Sequence, residues 1–450
     1  MRQRLEGIFE RRFKVGIFGV GKSNVGVIDF LRRRGYDFSL TVRSDKIPEN
    51  YVGLRAQRCF FGERAYLDID EDILFLSPSV RRDRGELICA AARGCLLFSD
   101  AELYFALSGN RTYAVSGSDG KSTTTYLIAS MLRHSGVDAL PCGNFGISLS
   151  SLIDTESVAV AELSSFQLNY CIPKSRRAVL TPICENHLDW HRGFQEYLKA
   201  KSNITTLTEG LVIDYDSEWV RHITRPSPIF CAVSAALPYE ELCYAVRAEN
   251  YMTLVGEDIL LNGKRYVSLA SARRRESYNV KNYMLASAAL ISDISPEAAE
   301  AAIADFRGLL HRAERVRTLR GITFINSSID STPERTLNTL RSLEGKVVPI
   351  IGGRGKGLSL AALAEALPTL TVGACLMGEV GEELSRLLTK TGVPYPKIKA
   401  SSMDAAIRTA MALLGGTGTV ILSPAATSFD RYKSFEERGE DFKRAVLSLD

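Results

Sequence analysis

The stretch SGSDGKSTTT, residues 116–125, has the residue types of a phosphate-binding loop. It follows the apolar run TYAVSG and precedes the helical pattern KSTTTYLIASMLRHSG, which is the context that such loops need. The backbone N–H groups of Gly117 to Gly120 are expected to face a phosphate, with Lys121 neutralising its oxygens and Ser122 binding Mg²⁺. The usual Walker spacing has a glycine six residues before the lysine, and here that position is Val115.

A carboxylate and a histidine are the next candidates for metal chemistry. Glu162 ends the apolar run VAVAE, and ligands of open α/β sheets collect at the carboxyl ends of strands. His187 and His191 have the i,i+4 spacing of a zinc pair, but no HExxH glutamate and no third soft ligand follows. We therefore expect His187 to bind Mg²⁺ beside carboxylates and His191 to be structural.

Two loops in the last third of the chain also follow apolar strands. GGRGKG places Lys356 on a turn, and SPAATSFD does the same for Ser428. Loops at the carboxyl ends of strands often carry function, so both are expected to face a cleft shared with the phosphate loop. Taken singly, each is equally well a plain turn between a strand and a helix.

The elements that must position these residues fall into three blocks of alternating strand and helix patterns. The first opens with KVGIFGVGKSNVGVIDFLRRRG, a strand, a glycine turn and a helix. Its third glycine position holds Asn24, so it is a weak NAD signal, although the helix N-terminus suits a nucleotide diphosphate. The pattern predicts an α/β fold of three domains, residues 1–107, 108–308 and 309–450.

Composition excludes several classes of protein. The chain has 450 residues, 45% of them apolar, a net charge of +4 and nine cysteines without a C-x-x-C pair. This indicates two or three globular domains without a disulfide framework. The N-terminus lacks a signal-peptide pattern and no apolar run reaches membrane length, so a cytoplasmic protein is expected. The arginine clusters, among them Arg81 to Arg84, are interpreted as solvated faces rather than a nucleic-acid surface.

Seven motifs together resemble the Mur ligases, in their order and spacing, over nearly the whole chain. They are GSDGKST, ELSSFQL, ENHLDWH, YLKAK, HRAE, GGRGKG and LSPAATSFDRYKSFEERGEDF. The resemblance implies a Rossmann-like UDP-binding domain, a central P-loop ATPase-type domain and a C-terminal Rossmann-like domain that binds the amino acid. It implies a monomeric amide ligase of peptidoglycan biosynthesis that adds D-glutamate to UDP-N-acetylmuramoyl-L-alanine through an acyl phosphate, releasing ADP and phosphate.

The resemblance also implies a role for each matching residue. ATP-binding positions are Gly117, Ser118, Asp119, Gly120, Lys121, Ser122, Thr123, Asn279, Asn282 and Arg312. Ligands of two Mg²⁺ ions are Ser122, Glu162, His187 and Lys201, the last carrying a carbamate. Substrate-binding positions are Lys22, Ser23, Ser77, Asn144, Ser164, Lys356, Ser428, Phe429 and Phe435. The catalytic set is Lys121, Glu162, His187, Lys201 and Lys356.

Four positions depart from the family pattern. Ser79 replaces a glycine, Tyr278 a histidine, Ser327 an aspartate and Ile329 a lysine, with Asp330 near enough to substitute for the aspartate. Because Ile329 lacks the positive charge of the family's lysine, a related ligase that adds another amino acid remains an alternative function. The other alternative is a catalytically silent nucleotide-binding paralogue. Loss of the Mg²⁺ ligands would favour that alternative, but the residues expected to bind Mg²⁺ are all present.

Overall fold

The computed structural model describes residues 2–48, 51–188, 190–224, 227–355 and 358–450. It contains two compact units, Met1–Phe306 and Arg307–Asp450. Lys356, expected beside the amino-acid substrate, lies outside the described residues. None of the helices in the described ranges is long and apolar enough to cross a lipid bilayer.

The first sheet of the first unit is five-stranded and parallel, in the order β3-β2-β1-β4-β5. Its elements are α1 (Arg2–Phe9), β1 (Phe13–Phe18), α2 (Lys22–Arg33), β2 (Phe38–Ser44), β3 (Arg58–Phe61), β4 (Ile73–Leu76), α3 (Gly85–Ala92), β5 (Leu96–Phe98) and α4 (Asp100–Leu107). The Asn24 amide donates to the carbonyls of Phe18 and Gly19, both at 2.9 Å, and lies 3.3 Å from the Ser77 hydroxyl. Asn24 therefore holds the glycine turn against the loop after β4.

The second sheet runs β16-β15-β14-β13-β12-β10-β6-β8-β7, parallel from β14 to β7 and antiparallel at its other end. Its strands are β6 (Thr112–Ser116), β7 (Ala139–Gly143), β8 (Val158–Glu162), β10 (Arg177–Leu180), β12 (Leu211–Asp214), β13 (Ile229–Ser234), β14 (Asn250–Val255), β15 (Asp258–Leu261) and β16 (Lys264–Ser268). The strands β9 (Lys174–Ser175) and β11 (Leu207–Thr208) pair separately. Since β6 lies between β8 and β10, the loop after β6 is flanked by the ends of both neighbours.

Helices complete this part of the first unit. They are α5 (Lys121–His134), α6 (Ser165–Leu168), α7 (Phe194–Ser202), α8 (Glu218–Thr224), α9 (Tyr239–Ala245), α10 (Ser277–Ala289) and α11 (Pro296–Asp305). The sheets are joined within the unit: the buried Asp100 carboxylate accepts the N–H groups of Leu149 at 3.0 Å and Ser150 at 2.8 Å. These bonds tie the start of α4 to the segment between β7 and β8.

The second unit has a six-stranded sheet in the order β17-β18-β22-β19-β20-β21, parallel except for β17. Its elements are β17 (Glu314–Leu319), β18 (Ile322–Asn326), α12 (Pro333–Arg341), β19 (Val347–Gly352), α13 (Ala361–Leu370), β20 (Ala374–Met377), α14 (Gly378–Lys390), β21 (Lys397–Lys399), α15 (Met403–Leu414), β22 (Gly418–Leu422) and α16 (Phe435–Leu447). Thr332, Ser402 and Ser434 cap α12, α15 and α16 by accepting a backbone N–H three residues on. The predicted α/β class with parallel sheets is confirmed, whereas the three-domain division stays a prediction.

Candidate functional site

The phosphate loop follows β6, and two of its glycines have backbone angles that favour glycine. Gly117 has φ 149° and Gly120 has φ 78°. A Cβ atom on Gly117 would lie 1.9 Å from the Thr181 hydroxyl, and one on Gly120 would lie 2.4 Å from the Asn282 side-chain oxygen. The loop therefore needs these glycines both for its conformation and for its close neighbours.

The loop is anchored to the segment after β10. The Ser118 N–H donates to the Pro182 carbonyl at 2.7 Å, and the Asp119 N–H donates to the same oxygen at 3.3 Å. The expectation that all four amides from 117 to 120 face a phosphate is therefore wrong for these two. The first turn of α5, which begins at Lys121, remains the source of helix N-terminal donors for an anion.

Glu162 is 1% exposed at the carboxyl end of β8. One carboxylate oxygen accepts the Asn144 side-chain amide at 2.7 Å, and the other is buried without a hydrogen-bond partner. A buried carboxylate oxygen without a partner is costly, so this atom is suited to a cation. Among the described ranges, no group of three or more His, Cys, Asp and Glu side chains is placed to hold a metal. Mg²⁺ fits that donor set, because it keeps waters and binds one or two carboxylates together with phosphate oxygens.

Lys201 lies on α7 with its side chain fully buried beside the phosphate loop. Its ammonium nitrogen donates to the Gly117 carbonyl at 2.6 Å and lies 3.4 Å from the Ser116 hydroxyl. Burial, followed by the charge of Lys121, holds the pKa of Lys201 well below its usual value, and Glu162 opposes this. A lower pKa increases the fraction of neutral amine, which is the form that reacts with CO₂.

The two histidines of ENHLDWH have different surroundings. His187 is exposed on the turn after β10, with φ 56°, and its ring centre lies 4.9 Å from that of Phe166. His191 is 1% exposed, and its Nε2 lies 2.9 Å from the Ser165 hydroxyl. Burial lowers the pKa of His191 to about 4. These are the surroundings of a neutral structural side chain, as expected for His191.

The buried His191 predicts a pH-dependent stability. Its pKa falls from 6.5 to about 4 on folding, so its contribution is complete above pH 6.5 and is lost as the pH falls towards 4. We expect His191→Gln to flatten the loss of unfolding free energy across that window by on the order of 1–3 kcal/mol. Urea titrations at pH 7 and pH 4.5 measure it, with His222→Gln on the exposed face of α8 as control. An unchanged slope in His191→Gln would contradict the assignment.

The expected contacts of the nucleotide-linked substrate lie between the two sheets of the first unit. Lys22 donates to the Gly146 carbonyl at 2.7 Å, and burial lowers its pKa while Asp100 and Glu162 raise it. Ser23 is in the first turn of α2, and Ser77 lies beside the glycine turn. The structure thus brings Lys22, Ser23 and Ser77 to one edge of the first sheet. Asn144 donates to Glu162, whose charge also acts on Lys22.

Ser164, an expected substrate contact, caps a helix in the structure. It is the N-cap of α6 in a capping box, in which its hydroxyl accepts the Gln167 N–H at 3.2 Å and the Gln167 side chain accepts the Ser164 N–H at 2.9 Å. Its side chain is therefore engaged locally, and a contact with substrate would compete with the cap.

Two of the three expected nucleotide contacts lie on α10. Asn282 accepts the Thr124 hydroxyl at 3.2 Å, which places it against the first turn of α5. Asn279 donates to Glu276 at 2.9 Å and is 4% exposed. Arg312 belongs to the second unit, whereas both asparagines lie on α10 of the first unit.

In the second unit, Ser428 lies between β22 and α16, and Phe435 is the first residue of α16. The Phe435 carbonyl accepts the Ser328 hydroxyl at 2.7 Å, and Ser428 is 3% exposed. Phe429 is 52% exposed. These positions share the carboxyl edge of the sheet with Ser327 and Ile329, which follow β18.

Asp330, the expected substitute for the missing aspartate, lies in the loop after β18. It is 5% exposed and accepts the Ser423 hydroxyl at 2.8 Å, and burial raises its pKa. Sequence reasoning also missed Arg438, which is 3% exposed and donates to Ser328 and to the Ala426 carbonyl. It joins the loops after β18 and β22, and its only sequence signal was a cation inside the FEERGEDF motif.

Comparisons with known proteins extend the match beyond single residues. Residues 115–290 match the Mur ligase middle domain family. The chain is 33% identical to the UDP-N-acetylmuramoylalanine--D-glutamate ligase of Acetivibrio thermocellus and 32% identical to that of Ruminiclostridium cellulolyticum, with 97% of both chains covered in each case. The solved structure of UDP-N-acetylmuramate-alanine ligase from Thermotoga maritima has a TM-score of 0.62 at 18% identity, covering 97% of this chain and 100% of that one. That structural match shows a shared α/β fold.

Proposed function

This chain belongs to the Mur ligase family, and on that basis we propose that it is an ATP-dependent amide ligase that adds D-glutamate to UDP-N-acetylmuramoyl-L-alanine in peptidoglycan biosynthesis. The relatives that carry the D-glutamate ligase name align over 97% of its length. One structural observation supports the chemistry: a buried oxygen of Glu162 has no hydrogen-bond partner, and the charges of Glu162 and Lys121 both act on Lys201 beside the phosphate loop.

The proposed division of labour follows the three predicted domains. Residues 1–107 bind the UDP part of the substrate, 108–308 bind ATP, and 309–450 bind the amino acid. The glycine turn of the first sheet and the phosphate loop of the second support the first two assignments, since each precedes a helix N-terminus. A cytoplasmic monomer without nucleic-acid or membrane partners is the matching expectation.

The reaction begins with phosphoryl transfer. A carboxylate oxygen of the alanyl substrate attacks the γ-phosphorus of ATP, the bond from that phosphorus to the bridging oxygen breaks, and ADP leaves. This step depends on positioning and charge neutralisation, which Lys121 and the N-terminus of α5 supply. Ser122 and Glu162 would hold one Mg²⁺, which when bound neutralises and orients phosphate oxygens.

Amide formation follows. The amine of D-glutamate attacks the acyl carbon and loses a proton, and the carbon–oxygen bond to phosphate breaks. Lys201, as a carbamate, and His187 would hold the second Mg²⁺; the lowered pKa of Lys201 supports this because the modification needs a neutral amine. Ser428, Phe429, Phe435 and Lys356 would position D-glutamate. The buried guanidinium of Arg438, bonded next to Ile329, keeps positive charge near the position where a lysine is missing.

Phosphate release in the presence of ATP and Mg²⁺ tests the proposal directly. With UDP-N-acetylmuramoyl-L-alanine and a panel of amino acids, we expect release that needs both the nucleotide substrate and D-glutamate. Release only with a different amino acid would change the proposed amino-acid substrate and leave the proposed mechanism intact. An absence of release with every amino acid would contradict the proposal and favour the silent paralogue.

A further inference from the structure

Two turns that face each other in the first unit are joined through Trp190. We call the segment after β4, residues 77–84, the first-sheet turn, and the segment of His187, Leu188, Trp190 and His191 the histidine turn. The indole N–H of Trp190 donates to the Ser79 carbonyl at 2.7 Å. Arg81 donates to the Trp190 carbonyl at 2.5 Å, and its guanidinium lies 4.8 Å from the centre of the Trp190 ring. The tryptophan is thus held from both its backbone and its side chain.

Charged groups extend this junction to α7. The Asp83 carboxylate accepts hydrogen bonds from the guanidinium groups of Arg81 and Arg192, both at 2.7 Å. Glu196, in the first turn of α7, pairs with Arg81 at 3.1 Å and accepts the Arg192 N–H at 2.7 Å. Because α7 also carries Lys201, the network reaches from the first-sheet turn to the helix of the buried lysine.

Backbone hydrogen bonds and ring contacts also link His187 to Trp190 and His191. The His187 carbonyl accepts the N–H groups of Trp190 at 3.1 Å and His191 at 3.0 Å. The Phe166 ring centre lies 4.9 Å from that of His187 and 4.7 Å from that of Trp190. A displacement of Trp190 would therefore move His187 with it.

The interpretation of Arg81 as part of a solvated face is wrong. Its side chain is 23% exposed and bridges two turns that are more than 100 residues apart in the chain. Ion pairs at such partly exposed positions add little stability. A displacement of about 1 Å at a catalytic group, by contrast, costs roughly 100-fold in rate. The geometry is therefore better suited to holding a position than to stabilising the fold.

We propose that Trp190 and Arg81 are positioning residues that fix the histidine turn against the first-sheet turn, so that binding of the uridine diphosphate part of the substrate at Ser77–Ser79 sets the position of His187. This inference rests on the proposed function for its substrate. The inference goes beyond that function in stating that the first-sheet turn and the histidine turn move together. Their coupling runs through the Ser79 carbonyl, an atom that any residue at position 79 would supply.

Steady-state kinetics of Trp190→Phe and Arg81→Met test the coupling. We expect about tenfold increases in the KM for UDP-N-acetylmuramoyl-L-alanine and in the half-saturating Mg²⁺ concentration, with the KM for ATP changed less than about twofold. Trp219→Phe is the matched tryptophan control. Arg58→Met is the matched arginine control, because Arg58 lies over the Phe60 ring and pairs with Asp70, outside both turns. Equal parameters in Trp190→Phe and Trp219→Phe would overturn the proposal.

Fluorescence provides a readout that does not need catalysis. The chain has two tryptophans, so Trp219→Phe leaves Trp190 as the single emitter. Titration with UDP should shift the Trp190 emission in a saturable way, and adding Arg81→Met should remove at least half of the shift. A shift in a protein that forms no amide would keep this inference and refute the ligase function. Amide formation without any shift would refute the inference and keep the function.

Discussion

Lys201→Ala is expected to lower kcat by roughly 10³-fold and to regain part of the lost rate when acetate or propionate is added. The Lys201 side chain is fully buried with its nitrogen 2.6 Å from the Gly117 carbonyl, so its truncation opens space next to the phosphate loop. A small carboxylate that enters this space restores an anion where the carbamate would lie. The rate of phosphate release at rising carboxylate concentration measures the rescue.

The control for this variant is Lys199→Ala on the same helix. Lys199 is exposed, so its loss should leave kcat within about twofold of the parent. If Lys201→Ala retains the parent rate, or collapses without any response to carboxylates, the carbamate assignment fails. A response of Lys199→Ala equal to that of Lys201→Ala would show a general effect of acids on the protein.

Lys121→Met is expected to lower kcat by roughly 10²- to 10³-fold, with a smaller effect on ATP binding. Lys121 begins α5 and its ammonium lies 2.5 Å from the Ser118 carbonyl, at the loop that would cradle the phosphates. Methionine keeps the length of the side chain and removes its charge, which is needed most as charge shifts to the leaving ADP. Single-turnover phosphate transfer and equilibrium ATP titration separate the two effects.

Arg133→Met is the matched control, because it removes a cation from the opposite end of α5. Arg133 donates to the Ala139 carbonyl at 3.0 Å and lies in the last turn of the helix. We expect kcat of this variant to stay within about threefold of the parent. If Lys121→Met kept more than a third of the parent kcat, the assigned role of the loop lysine would be contradicted.

Residues that follow a strand in a strong local pattern could be placed from the sequence. Glu162 ends a run of apolar residues, so its position at a strand's carboxyl end follows from the alternation of strands and helices. Lys121 and Ser122 were placed at a helix N-terminus for the same reason. The family implied by the seven motifs is confirmed by the relatives that align over 97% of the chain.

Contacts between distant segments could not be predicted in this way. The hydrogen bond from Trp190 to Ser79 joins residues 111 positions apart, and neither their residue types nor their spacing predicts it. The use of Pro182 as acceptor for two loop amides depends on β6 lying beside β10, an order that the alternation of elements leaves open. The burial of Asp330 against Ser423, 93 residues away in the chain, is likewise a contact that the sequence does not indicate.

The most direct test of the proposed chemistry labels the reacting carboxylate. UDP-N-acetylmuramoyl-L-alanine with ¹⁸O in both oxygens of the alanine carboxylate is converted with ATP, Mg²⁺ and D-glutamate, and the released phosphate is analysed by mass spectrometry. Transfer through an acyl phosphate predicts one ¹⁸O atom in each phosphate, because the attacking oxygen leaves with the phosphorus. Amide formation with unlabelled phosphate would contradict the account, since ATP would then be cleaved without activating the carboxylate.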